Sequence, residues 1–207
     1  MKQLNQYIIE KFKLNSKTSN QIAKYNYHPE DKDELRSLIE KLLEERGKDA
    51  DLNDIDVSGI TDMSALFYWL YPHNINISEW DVSNVTDMRY MFCDCRDFNS
   101  DLSKWDVSNV TRMESMFADC KKFNSDLSKW NVSNVKSMSS MFNGCENFES
   151  DLRKWDVSSV ENMKYMFTSC YKFNSDLSKW NVSNVTCMNY MFEDCFSLKN
   201  IPSWYNE

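Results

Sequence analysis

Glycine and proline are scarce, three of each in 207 residues. Those two residues turn most ordinary corners, so a chain with many turns must use Asn, Asp and Ser instead. With glycine only at 47, 59 and 144, no loop can cradle a phosphate. Histidine is almost as rare. His28 precedes a helical stretch and His73 falls in an irregular repeat, so a two-His metal site and a Ser-His-Asp triad both lack their parts. No catalytic constellation is expected, and no cofactor or metal.

Long apolar runs are also missing. The longest, Ala65 to Tyr71, is far too short to span a bilayer. The segment from Met1 to Glu10 has no apolar h-region and no small-residue cleavage site, which gives a cytoplasmic expectation. Positive charge is in deficit. The formal charge is −8, and residues 51–207 carry fourteen Lys and Arg against twenty-three Asp and Glu. An acidic surface disfavours direct contact with nucleic acid or anionic lipid and attracts a basic partner.

What the chain does have is a repeat. Trp recurs at 80, 105, 130, 155 and 180, and Cys at 95, 120, 145, 170 and 195, both with a period of 25. Met pairs at 88/91, 113/116, 138/141, 163/166 and 188/191 are each followed by Phe. A degenerate coil covers 55–79, with Leu70 in the Cys column, and five full coils cover 80–204, the last merging into Ile201 to Tyr205. Within a unit, Met113, Met116 and Phe117 have i, i+3, i+4 spacing, and Thr111 before them suits an N-cap, so a short helix is expected. Phe123 to Leu127 and Trp130 to Val132 alternate as short strands do. The expected fold is therefore an α+β repeat solenoid. A lone coil cannot bury both its faces, so stability must come from stacking.

Such a stack needs a cap, and residues 1–50 read as one, set against a solenoid over 51–207. Leu35, Leu38, Ile39, Leu42 and Leu43 form the apolar stripe of a helix opened by Pro29 and closed by Gly47. Leu4, Tyr7, Ile8 and Phe12 suggest a weaker helix ahead of it.

The run Trp-Asp-Val-Ser-Asn-Val-Thr-x-Met-x-x-Met-Phe-x-x-Cys-x-x-Phe-Asn-x-Asp-Leu-Ser, carried five times over about 55–207, resembles the BspA-like leucine-rich repeat family. The likeness is to its 25-residue form, found in mycoplasma and gut-bacterial surface proteins. The resemblance implies a right-handed, leucine-rich-repeat-like stack and a role in binding or adhesion, most often at the cell surface.

The remaining polar and thiol columns have structural readings beside chemical ones. Cys95, Cys120, Cys145, Cys170 and Cys195 read as a buried thiol ladder rather than disulfides or zinc ligands, with Cys93 and Cys187 off the column and open to redox chemistry. Asp101, Asp126, Asp151 and Asp176 read as corner-turning residues, with calcium as the alternative. Asn99, Asn124 and Asn174 read as an amide ladder. The Trp column reads as core, with a sugar-stacking stripe as the alternative.

Columns that vary between repeats face outward. They nominate Tyr90, Tyr165, Tyr190, Tyr171 and Phe196 as an aromatic contact patch on one side, with Arg89, Arg96, Arg112, Glu114, Lys121 and Lys164 around it. The function this supports is a non-catalytic protein-binding module, a stoichiometric inhibitor or adaptor of bacterial or phage origin. A surface adhesin for host protein or glycan, and an acidic mimic of nucleic acid, stand as alternatives.

Overall fold

In the computed structural model, residues 25–206 are described. The weaker N-terminal helix expected around Leu4 to Phe12 lies outside them.

One α-helix is present among the described residues, α1, Lys32–Arg46. Its N-cap is Asp31, whose Oδ1 accepts from Glu34 N at 2.9 Å, and Asp33 and Glu34 set acidic charge in the first turn. Gly47 ends it at φ 87°, donating its N–H to the Leu43 carbonyl at 3.0 Å. The stripe Leu35, Leu38, Ile39, Leu42 and Leu43 is buried.

The repeats form a stack of coils, but not the α+β solenoid expected. No helix and no extended strand occurs within them among the described residues. Neighbouring coils share isolated parallel bridges, one per step along the line Asp62, Asp87, Arg112, Ser137, Asn162 and Cys187. The expected helix at Met113 to Phe117 fails for a physical reason. Ser115 and Asp119 stand at φ 54° and 59°, the left-handed region, which a right-handed helix cannot contain. The N–H groups of Met113, Ser115, Phe117 and Asp119 leave their own coil and donate to the carbonyls of Ser137, Ser139, Met141 and Asn143, at 2.7–3.1 Å. Those of Met116, Ala118 and Cys120 close four-residue turns within the coil. Alternate amides thus serve the stack and the turn. Thr111 caps nothing: its N–H and its Oγ1 both donate to the Thr86 carbonyl.

The expected strands fail because the chain is kinked too often for a ladder. Asp101, Asp126, Asp151 and Asp176 each accept the backbone N–H two residues on, at 2.9–3.1 Å, so they are the corner-turning residues expected. Each hydrogen bond favours the charged carboxylate and holds the group below its usual range, with Arg153 pulling Asp151 down to about 2. Among the described residues, the side-chain amides of Asn99, Asn124 and Asn174 form no ladder with one another. Their carbonyls accept backbone N–H groups from the next coil, at Asn124, Glu149 and Lys199.

Side-chain columns fill the interior. Trp80 and Trp105 stack at 6.4 Å and 4°, Phe92 and Phe117 at 5.6 Å and 2°, and Phe98 and Phe123 at 5.8 Å and 12°. Trp105, Trp130 and Trp155 are each 4% exposed, which leaves no indole face open to a sugar. Each of their Nε1–H groups donates to a carbonyl 28 residues back, at Ile77, Leu102 and Leu127. Cys120, Cys145 and Cys170 do likewise through Sγ, to Phe92, Phe117 and Phe142, at 3.0 Å. Burial pushes these three thiols well above their usual range. A column absent from the sequence reading, Ser125, Ser150 and Ser175, is buried and accepts the N–H of Leu102, Leu127 and Leu152.

The two ends of the stack differ. At the first coil, two of the carbonyls that an earlier coil would have engaged, those of Leu66 and Tyr68, are met by α1. Arg36 donates to the carbonyls of Ala65, Leu66 and Tyr68 at 2.7–2.9 Å, and Lys32 reaches Asp62 and Ser64. At the last coil, Trp204 stacks on Trp180 and Tyr205 packs edge-on against Phe192. Val182, Val185 and Met188 are nevertheless half-buried, where their counterparts inside the stack are fully buried.

Candidate functional site

The outward side chains are placed by the same turn geometry. Tyr90, Tyr165 and Tyr190 all stand at φ 58°, in the left-handed column that Ser115 and Ser140 share. Consecutive coils carry Tyr165 and Tyr190, so their rings stack at 5.3 Å and 8°, and Lys164 Nζ lies 4.7 Å from the Tyr165 centroid. Tyr171 and Phe196 form a second pair at 5.4 Å, with Phe196 77% exposed. Beside Phe196 lies an open cleft of about 780 Å³ bounded by Glu149, Asp151, Arg153, Lys172, Asp176 and Lys199.

The expected patch is therefore two stacked pairs. Tyr90 stands three coils from Tyr165, and among the described residues no ring contact joins it to either pair or joins the pairs to each other. Most of the nominated charges are engaged with neighbours. Arg89 grips Asp87 at 2.6 Å, and that hydrogen bond holds its guanidinium above its ordinary range. Arg112 lies 4.0 Å from Asp87 and 3.7 Å from Glu114. Among the described residues, Glu114 Oε2 is buried and finds no hydrogen-bond donor. Lys121 bonds Glu146 at 2.6 Å, which raises its ammonium. Arg96 is exposed.

Cys93 and Cys187 are half-buried rather than exposed. Burial, with Asp94 alongside, pushes the Cys93 thiol up to about 12, so it carries almost no thiolate at neutral pH. Among the described residues no group of three or more His, Cys, Asp and Glu is arranged to hold a metal ion. No described helix is long and apolar enough to cross a membrane.

The sequence reading missed an exposed aromatic cluster in the first coil, Tyr68, Trp69 and Tyr71, with Trp69 59% exposed. The signal was present: Trp69 falls in the column that carries Asp94, Asp119, Gly144 and Ser169 in later coils. It was hidden because 65–71 reads as a plain apolar run.

A family model described as "Mycoplasma protein of unknown function, DUF285" matches residues 37–148 and again 125–207. No curated protein matches the chain, and no solved structure does.

Proposed function

The chain belongs to the Mycoplasma family DUF285, related to BspA-like repeat proteins, and from that premise we propose that it is a non-catalytic protein-binding module. It holds its partner through outward aromatics of the last coils. The observation that carries this reading is the pair of exposed ring stacks, Tyr165 on Tyr190 and Tyr171 on Phe196, mounted on a backbone hydrogen-bonded from coil to coil. Stacked rings on a fixed backbone lose little conformational freedom on binding, and Tyr is a preferred anchor at protein interfaces. The surplus of carboxylates favours a basic partner, and blocking that partner's surface would make the module an inhibitor or an adaptor. The BspA-like likeness keeps a second reading open, a surface adhesin, and the exposed aromatic faces are also the groups that stack on sugars.

The repeats supply their own control substitutions. Tyr165→Ser, Tyr190→Ser, Tyr171→Lys and Phe196→Glu place there residues that other coils carry at the same positions. Partner affinity should fall at least tenfold with the fold intact, measured by titration calorimetry against the purified partner. Unchanged affinity in the fourfold variant would overturn the reading. Retained binding to protein and none to a glycan array would remove the adhesin for sugars.

A further inference from the structure

Tyr68, Trp69 and Tyr71 place three rings within four positions at one corner of the first coil. The Tyr68 and Trp69 centroids lie 4.9 Å apart at 48°, and those of Trp69 and Tyr71 6.0 Å apart at 84°. The rings are walls at different angles rather than a flat stack. Trp69 is 59% exposed and Tyr71 45%, so neither ring is spent on the core.

Both residues are held in the left-handed region, Trp69 at φ 67° and Tyr71 at φ 49°. At the Trp69 position the following coils use Asp94, Asp119, Gly144 and Ser169, also at positive φ. Small or short polar residues accept that conformation, whereas a bulky aromatic there costs about 1–2 kcal/mol. The corner is fastened from beneath by the cap. Arg36 bonds the Tyr68 carbonyl at 2.9 Å, and Lys48 Nζ bonds the Leu70 carbonyl at 2.5 Å. An exposed, strained and braced aromatic display is what a pre-organised contact requires.

The surroundings select the partner. Asp94 stands one coil on from Trp69 in the same column, and Asp119 one coil beyond. Desolvation, with Cys93 and then Asp94, raises the Tyr68 phenol; burial together with Asp94 raises the Asp119 carboxyl, while Arg96 and Lys121 lower it. Of the nearby cations, Lys48 is turned to the Leu70 carbonyl and Lys121 to Glu146, while Arg96 is exposed one coil on from Tyr71. Aromatic faces beside carboxylates attract a cation, and Trp is the strongest such face.

We propose that Trp69, with Tyr68 and Tyr71, is a docking site for a basic protein segment, whose Arg or Lys side chain seats against the rings beside Asp94 and Asp119. The site uses none of the residues of the two ring stacks, so it stands or falls apart from them.

The test is fluorescence anisotropy of a labelled eight-residue arginine peptide titrated with the full chain at physiological salt. Trp69→Ser, which places there the residue that Ser169 contributes, is expected to weaken binding at least tenfold. It should stay folded with a melting temperature close to the parent's, because Ser169 holds the same position at φ 58° in a later coil. Asp94→Asn with Asp119→Asn keeps residues that tolerate the left-handed region and is expected to weaken binding severalfold. The fourfold variant of the ring stacks should bind the peptide like the parent. Equal binding by the parent and Trp69→Ser would show attraction to net charge alone and overturn the proposal. So would a blue shift of tryptophan emission with phosphatidylcholine vesicles, seen in the parent and lost in Trp69→Ser, with none from the peptide, which would assign the rings to a lipid surface.

Discussion

At the scale of single residues, each coil depends on positions whose backbone or protonation is unusual. Gly144 stands at φ 73°, and a Cβ there would lie 2.7 Å from Asp119 Oδ1. Gly144→Ala should cost about 1–2 kcal/mol from the left-handed backbone, read as a lower urea midpoint with an unchanged slope. The acidic corners give a pH signature. Asp101, Asp126, Asp151 and Asp176 have pKa values below the ordinary carboxylate range in the folded chain, so the unfolded chain binds protons first on acidification. Their contribution is complete above the unfolded value of about 3.9 and fades as pH falls through the folded values, Asp151 last at about 2. The column thiols act at the other end. Burial raises them, so above about pH 8.5 the unfolded chain loses protons that the folded chain keeps, and stability falls as pH rises. Urea midpoints across the pH range should decline on both sides, and replacing Cys120 and Cys145 by Ala should flatten the alkaline limb.

At the scale of elements, α1 acts as a substitute coil. Arg36 supplies the N–H groups that a preceding coil would have donated to Leu66 and Tyr68. Arg36→Met keeps much of the stem but strands the Leu66 and Tyr68 carbonyls, while Ala65 keeps the Tyr68 N–H, and should cost about 1.5–3 kcal/mol in urea unfolding. The opposite end offers a contrast. Among the described residues, the amides of Met188, Tyr190, Phe192 and Asp194 find no backbone acceptor, whereas those of Met113, Ser115, Phe117 and Asp119 each find one in the next coil. Hydrogen exchange should therefore be fast in the first set and slow in the second. The same elements show where sequence reading works. The helix was legible in its stripe, its opening after Pro29 and its closing glycine, though its Asp31 N-cap was not read, because a sustained 3.6-residue period has one structural meaning. The coil helices were not, because Met113, Met116 and Phe117 show helical spacing over a single turn. The left-handed Ser115 that breaks it is not a residue type that announces positive φ. The Trp, Met, Phe and Cys core columns were separable from the repeats alone, whereas the invariant Asp101, Asp126, Asp151 and Asp176 lie exposed and Ala118 of a varying column is buried. That Tyr165 would meet Tyr190 and that Tyr90 would stand apart depended on coil spacing, which could be counted. That Lys121 would be taken up by Glu146 depended on side-chain reach, which could not.

At the scale of the whole molecule, the chain is a stack of coils whose inner columns are filled by Trp, Phe, Met, Leu and Cys, while its surface varies from coil to coil. That division lets outward residues change without disturbing the stack. Among the described residues, two aromatic displays are set on it, one braced by α1 at the first coil and one paired across the last coils. The measurement that tests the central claim most directly is paired affinity capture in reducing buffer, with mass spectrometry identifying what is held. The baits are the parent chain and the fourfold variant Tyr165→Ser, Tyr190→Ser, Tyr171→Lys, Phe196→Glu, shown to melt alike. The account predicts a single stoichiometric protein held by the parent and lost by the variant. A protein held equally by both, or none held by either, would contradict it.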